Sequence, residues 1–305
     1  MRLFVTGGNG MVGRNIRALA ERLDIEVLAP NRNELDLTCQ TSVREYLKKH
    51  QPDVVIHCAG LVGGIQANIA APYDFCYQNL LIGLNVVQAS YDAGIDKLIN
   101  LGSSCMYPRV AENPLKESMV LTGELEPTNE GYAIAKVAVA KLADYLSQQY
   151  GVQYKTYIPC NLYGYWDKFD PTKSHMIPAV IRKLDEAVKA AQEEVDIWGD
   201  GLARREFMFA EDLADFIFYS LERFDDVPSN INVGLGQDHS INEFYEVIGE
   251  VVGYKGSFTH DLSKPAGMKQ KLVDVTKQGE LGWSPKTSLR DGIKKTYKFY
   301  LTEVL

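Results

Sequence analysis

Residues 5–13 read VTGGNGMVG, and the reading of that stretch decides the fold. The apolar run around Val5 predicts a strand over 3–6, and the periodic pattern after it predicts a helix over 11–22. Between them Gly7, Gly10 and Gly13 recur at every third position. Glycine at the first two lets the backbone turn tightly and approach a pyrophosphate. Glycine at the third permits close helix–strand packing, and the free N–H groups of a helix start attract an anion. An isolated glycine pattern also fits an ordinary turn. Its place between a first strand and a first helix favours a dinucleotide site.

Outward from this turn, short apolar runs predict strands over 25–29, 54–57, 97–101 and 154–158. Helical patterns alternate with them over 41–49, 70–93 and 130–150. Strand and helix taking turns imply βαβ units, hence an α/β fold with a Rossmann-type doubly wound parallel sheet. Beyond residue 165 the pattern loosens. A helix over 181–191 leads to VDIWGDG, and a helix over 211–223 and a strand over 231–234 return to the first domain. A last helix is expected over 289–303. The expected division is a dinucleotide-binding domain of residues 1–165 with 208–237, and a smaller α/β C-terminal substrate domain of 166–207 and 238–305.

Composition narrows the class. With 46% hydrophobic and 24% charged residues in 305, wholesale disorder is excluded. A net charge of −8 argues against nucleic acid or anionic membrane as partner, since both need a basic surface. No apolar run approaches the roughly 20 residues of a membrane span, and no leader is expected before the first strand. The five cysteines, Cys39, Cys58, Cys76, Cys105 and Cys160, are scattered and lack CxxC spacing. That pattern suits free thiols in a reducing cytoplasm, and no His/Cys/carboxylate cluster suggests a metal.

The cofactor's ribose is read at the end of the second strand, where an NAD site carries an acidic residue. Here the sequence is Ala29-Pro30-Asn31-Arg32, with no carboxylate until Glu34. Arg32 can pair with a 2′-phosphate, so NADP(H) is expected rather than NAD; a solvated arginine is the alternative. In EPTNEGYAIAK, Tyr132 and Lys136 stand four apart at a helix start and share one face. An ammonium beside a phenol favours the phenolate, so the pair predicts a lowered tyrosine pKa and a proton donor and acceptor. Ser103, in LGSSCMYP, ends the preceding strand and would hydrogen-bond the carbonyl oxygen that Tyr132 protonates.

The glycine turn, Ser103 and Tyr132-x-x-x-Lys136 resemble the extended short-chain dehydrogenase/reductase group that modifies nucleotide sugars. LVGGIQAN, YQNLLIGLNVVQA, LGSSCMYP, NLYG, SHMIPA, IWGDG, RREF and LVDVTKQGELGW, in that order along nearly the whole chain, are similar to one family within it, the GDP-L-fucose synthases. The resemblance implies an NADP-dependent epimerase-reductase acting on a GDP-linked 4-keto-6-deoxy sugar, working as a homodimer. A cysteine and a histidine would exchange the acidic protons at C3 and C5 next to the ketone. They fall on Cys105 and His175. Hydride transfer to C4 would follow in the same pocket.

Residue by residue, the resemblance places the cofactor on Gly7, Asn9, Gly10, Met11, Val12, Gly13, Arg32, Asp36, Leu37, Ala59, Gly60, Tyr132, Lys136, Asn161 and Leu162. It places the sugar nucleotide on Gly63, Gly64, Ser104, Asn161, His175, Lys183, Trp198, Arg205 and Lys271. Arg205 and Lys271 would hold the diphosphate. Trp198 reads equally as a flat wall for sugar or base and as a packed tryptophan, and the helices over 70–93 and 130–150 as a dimer interface or internal packing. Two departures stand out: Asn9 and Lys183 occupy positions where the family carries arginine. Related readings are a plain C4 reductase, a C5-epimerase/C4-reductase of the colitose or deoxyheptose pathways, and a non-catalytic dinucleotide sensor. A dehydratase fits less well, because those enzymes carry an acidic pair where Ser104-Cys105 stands.

Overall fold

The computed structural model describes residues 1–170, 174–263 and 268–305. Six parallel strands form its main sheet: β1 (Arg2–Thr6), β2 (Glu26–Leu28), β3 (Val54–His57), β4 (Lys97–Leu101), β5 (Gln153–Pro159) and, from much later in the chain, β10 (Asn230–Val233). Their order is β2-β1-β3-β4-β5-β10. The chain leaves β1 in one direction to reach β2 and in the other to reach β3, so the carboxyl ends of β1 and β3 flank a crevice. That switch point is where a doubly wound sheet binds ligand.

Helices α1 (Met11–Arg22), α2 (Gln40–His50), α3 (Ile65–Ala70), α4 (Pro72–Asp92) and α5 (Glu130–Tyr150) cover the sheet, joined by α7 (Ala210–Leu221) against α1. Strands β1, β3 and β4 are buried almost throughout, as the two covered faces of a parallel sheet require. Two apolar clusters flank the sheet. One runs through Leu3, Val5, Ile56 and Ile99 to Phe216 and Ile217, the other through Phe4, Val55, Val86, Leu98 and Tyr154.

A third apolar cluster stands apart, holding Ile177, Ile181, Leu184, Phe244, Ile248 and Ile293. It is built by α6 (Met176–Lys189), α8 (Ile241–Val252) and α10 (Leu289–Phe299) with small sheet pieces. These pieces pair β6 (Asn161–Tyr163) with β9 (Phe207–Phe209), and β7 (Glu194–Trp198) with β12 (Ser257–Asp261). β8 (Arg204–Arg205) lies between β11 (His239–Ser240) and β13 (Gln270–Lys271), and α9 (Thr276–Glu280) lies before α10.

Helices α1 and α5 and strands β3 and β4 have the expected bounds. The helix expected over 70–93 is broken at Ala71, and α4 starts afresh with Pro72 at its first position. There proline lacks only an N–H that would be unpaired anyway. Helix α6 begins at Met176 rather than 181, because Pro178 is tolerated in a first turn. The last helix ends at Phe299 and widens into a π turn over Tyr300–Val304. Among the described residues no helix is long and apolar enough to cross a membrane.

Candidate active site

The turn after β1 is fixed by two glycines. Gly7 has φ +68°, a left-handed backbone, and a Cβ there would lie 2.8 Å from the Ala59 Cα. A Cβ on Gly13 would lie 2.3 Å from the Gly7 carbonyl oxygen, so α1 could not sit against the turn with any other residue. The Gly10 N–H donates to the Gly7 carbonyl at 2.9 Å and closes the turn. This cradle opens one end of a cleft of about 1360 Å³ that runs past β3, β4 and α5 to α6 and β13.

Beyond β4 the chain extends through Ser103 and turns into a short 3-10 helix, Ser104–Met106. The Cys105 N–H donates to the Ser103 hydroxyl oxygen at 3.2 Å, which ties the serine to the thiol two residues on. Helix α5 presents Tyr132 and Lys136 on one face to the same place. Ser103 is hydrogen-bonded to the Tyr132 hydroxyl. The Lys136 ammonium donates to the Leu101 carbonyl at 2.8 Å and lies 5.8 Å from the centre of the Tyr132 ring.

Burial decides the electrostatics here, and it corrects one expectation. Desolvation pushes the Tyr132 phenol above its ordinary pKa; negative charge on Cys105 adds to this and the Ser103 hydrogen bond opposes it. Burial also brings the Lys136 ammonium down to about 8, so it stays charged beside the phenol at neutral pH without offsetting the rise. Tyr132 therefore enters as a neutral phenol, the form that gives a proton. Cys58 and His57 lie near the same lysine. Burial lifts Cys58 to about 12 and drops His57 to about 3, leaving both uncharged and inert.

The sulfur of Cys105 meets two donors from remote segments. The Asn129 side-chain amide donates at 3.1 Å and the Lys271 ammonium at 3.6 Å. Lys271, expected on a diphosphate, is thus found against the thiol. Asn129 stands at the N-cap of α5 yet makes no side-chain cap; its amide is turned to the sulfur instead. His175 is the N-cap residue of α6, and its imidazole lies on the cleft wall with Nδ1 at 3.7 Å from an Asp167 carboxylate oxygen.

The cleft gathers Gly7, Asn9, Gly10, Met11, Val12, Gly13, Arg32, Asp36, Leu37, Ala59, Gly60, Asn161 and Leu162. It also takes in Gly63, Gly64, Ser104, Arg205 and Lys271. Burial lowers the pKa of the Arg205 guanidinium. Lys183 and Trp198 depart from expectation, since neither is on the cleft wall. Lys183 is drawn away by Asp196, donating to its carboxylate at 2.7 Å and its carbonyl at 2.6 Å. Trp198, at the end of β7, is 57% exposed.

A model of the NAD dependent epimerase/dehydratase family matches residues 3–234. This chain belongs to that family. A GDP-L-colitose synthase of Yersinia pseudotuberculosis is 54% identical over 304 residues, 99% of this chain and 99% of its own. A GDP-L-fucose synthase of Azorhizobium caulinodans is 49% identical over 99% of this chain and 96% of its own. Among solved structures, a GDP-mannoheptose C4 reductase from Campylobacter jejuni with NADP bound superposes with a TM-score of 0.89 at 33% identity. That match covers 99% of this chain and 98% of that one.

Within this epimerase/dehydratase architecture, the cleft residues that escaped the sequence reading include Arg14, Asn129 and Asp167. Arg14 follows Gly13 directly, and its guanidinium donates to the Asn9 carbonyl at 3.1 Å. It thus restores a cation beside the position where Asn9 lacks one. A basic residue just after the last glycine was a usable signal. Nothing in the spacing pointed to Asn129 or Asp167.

Proposed function

We propose that the chain is an NADPH-dependent epimerase-reductase that converts a GDP-4-keto-6-deoxyhexose to GDP-L-fucose. The observation that carries this reading is the convergence of Cys105 and His175 on the cleft that also holds Ser103, Tyr132 and the glycine turn. A reductase alone needs the phenol and the serine. A thiol and an imidazole beside them provide two further groups that exchange protons near neutral pH.

The residues fit a dinucleotide: the Gly7–Gly13 cradle leaves room for a pyrophosphate, and Arg14 and Arg32 border the ribose end as partners for a 2′-phosphate. When bound, NADPH supplies the hydride delivered to C4. Lys136 orients the nicotinamide ribose and Tyr132 gives its proton to the C4 oxygen. In the preceding steps Ser103 and Tyr132 hold the developing enolate oxygen while Cys105 and His175 take and return protons at C3 and C5. Arg205 faces the diphosphate. Residues 1–165 with 208–237 hold the cofactor, and 166–207 with 238–305 hold the sugar nucleotide.

A second reading, favoured by the 54% identical colitose-pathway relative, is the 3-deoxy substrate with inversion at C5 alone. The two separate in deuterium oxide with NADPH, by NMR of the products from GDP-4-keto-6-deoxymannose and from its 3-deoxy counterpart. Label at both C3 and C5 with faster turnover of the first supports the fucose reading, and preferred turnover of the second supports colitose. Reduction without any label sinks the epimerase part. The chain works as a cytoplasmic homodimer, with α4 and α5 as its interface. Exposed Tyr73 and Tyr77, stacked at 5.5 Å, and exposed Leu84, Ile134 and Tyr145 lie on those two helices. Sedimentation at the monomer mass would remove that assignment.

A further inference from the structure

Two polar groups on the cleft wall are buried without a hydrogen-bond partner among the described residues: Oδ2 of Asp167 and Nδ1 of His175. The Asp167 carboxylate approaches the ring through its other oxygen: Oδ1 lies 3.7 Å from that same Nδ1. The Asp167 side chain is 3% exposed, whereas the His175 side chain is 40% exposed. With Nδ1 buried, the exposed part of the ring is what lines the cleft.

The turn that delivers Asp167 is not a relaxed one. Trp166 just before it has φ +62°, a left-handed conformation that a bulky side chain rarely adopts. The Asp167 N–H donates to the Gly164 carbonyl, and the Lys168 N–H donates to Asp167 Oδ1 at 2.8 Å. The oxygen beside the ring is thus also held by backbone, and Oδ2 is left over. A buried carboxylate this close to a buried ring nitrogen without a partner is costly unless that nitrogen carries a proton toward it.

We infer that Asp167 is a positioning residue for His175: it accepts the Nδ1 proton, fixes the ring tautomer and so leaves Nε2 as the atom that exchanges protons with the sugar. This rests on the proposed epimerase function and deepens it. When Nε2 takes a proton from carbon, the C–H pair moves into the enolate and the ring becomes an imidazolium with Asp167 beside it. When Nε2 gives a proton back, the enolate pair forms the new C–H bond and the ring returns to its neutral Nδ1–H form. The Nδ1 proton stays in place throughout, because the hydrogen bond at one ring nitrogen sets the state of the other.

The test combines ring NMR with solvent exchange. In the full-length protein, 15N spectra of the His175 ring are expected to show the neutral form protonated on Nδ1, shifting to a mixture in Asp167→Asn. Deuterium wash-in at C5 of GDP-4-keto-6-deoxymannose is expected to fall about 100-fold in kcat in that variant. KM for the sugar nucleotide and NADPH affinity should not change. Asp167→Glu should restore the tautomer and most of the exchange, and serves as the informative variant if the asparagine protein does not fold. A wild-type ring protonated on Nε2, or exchange in Asp167→Asn within about twofold of wild type, overturns the inference. Absent exchange in wild type with an Nδ1–H ring would sink the epimerase reading but leave the pairing standing.

Discussion

The cofactor side of the cleft and its sugar side are assembled in different ways. Gly7, Gly10 and Gly13 lie in one turn, and Tyr132 and Lys136 lie one helical turn apart on α5. On the sugar side, Cys105 receives Lys271 from 166 residues away and Asn129 from 24. His175 meets Asp167 across a loop. Damage to the first set should act on reduction. Damage to the second should act on proton exchange and leave cofactor affinity alone.

The largest effect that would break this contrast is expected at Tyr132. Tyr132→Phe should reduce NADPH oxidation with the keto sugar by about 10²–10⁴-fold, the usual contribution of a placed acid, with NADPH affinity near wild type. Equal rates for the two proteins would remove the phenol from the chemistry. Next come Cys105→Ser and His175→Asn, each expected to lower deuterium wash-in by about 10²-fold or more while NADPH binds normally in a fluorescence titration. Loss of cofactor affinity would instead make both residues structural.

Lys271 sharpens the contrast, because sequence and structure assign it different partners. With its ammonium at 3.6 Å from the sulfur, Lys271→Met should cut the kcat of wash-in roughly tenfold with little change in KM. A raised KM at unchanged kcat would return it to the diphosphate. An effect of similar size is expected at Arg32. Arg32→Ala should lower the preference for NADPH over NADH by about tenfold, since Arg14 remains nearby, and kinetics with the two cofactors measure it. An unaltered ratio would assign the 2′-phosphate to Arg14.

Much of the cofactor side could be read directly. A left-handed residue at Gly7 and a close approach at Gly13 are demands on single positions, so glycine there reports them. A shared helix face follows from a spacing of four. Asn129 and Asp167 gave no such report. Asn129 reads as an ordinary helix cap until the fold turns its amide to Cys105, and Asp167 follows a strained tryptophan in an aromatic loop. Lys183 and Trp198 were expected in the cleft on resemblance, but an ion pair with Asp196 holds the first elsewhere and the end of β7 leaves the second exposed.

By itself the sequence determined the alternating strands and helices, the turn that can admit a pyrophosphate, and the shared face of Tyr132 and Lys136, because each depends on neighbours a few residues away. Tertiary structure alone decided that burial raises the Tyr132 phenol, that Lys271 and Asn129 donate to the Cys105 sulfur, and that an Asp167 carboxylate oxygen lies 3.7 Å from His175. Those outcomes depend on burial and on contacts between distant segments. Desolvation and through-space charge act over ångströms in the folded chain, whatever the separation along it.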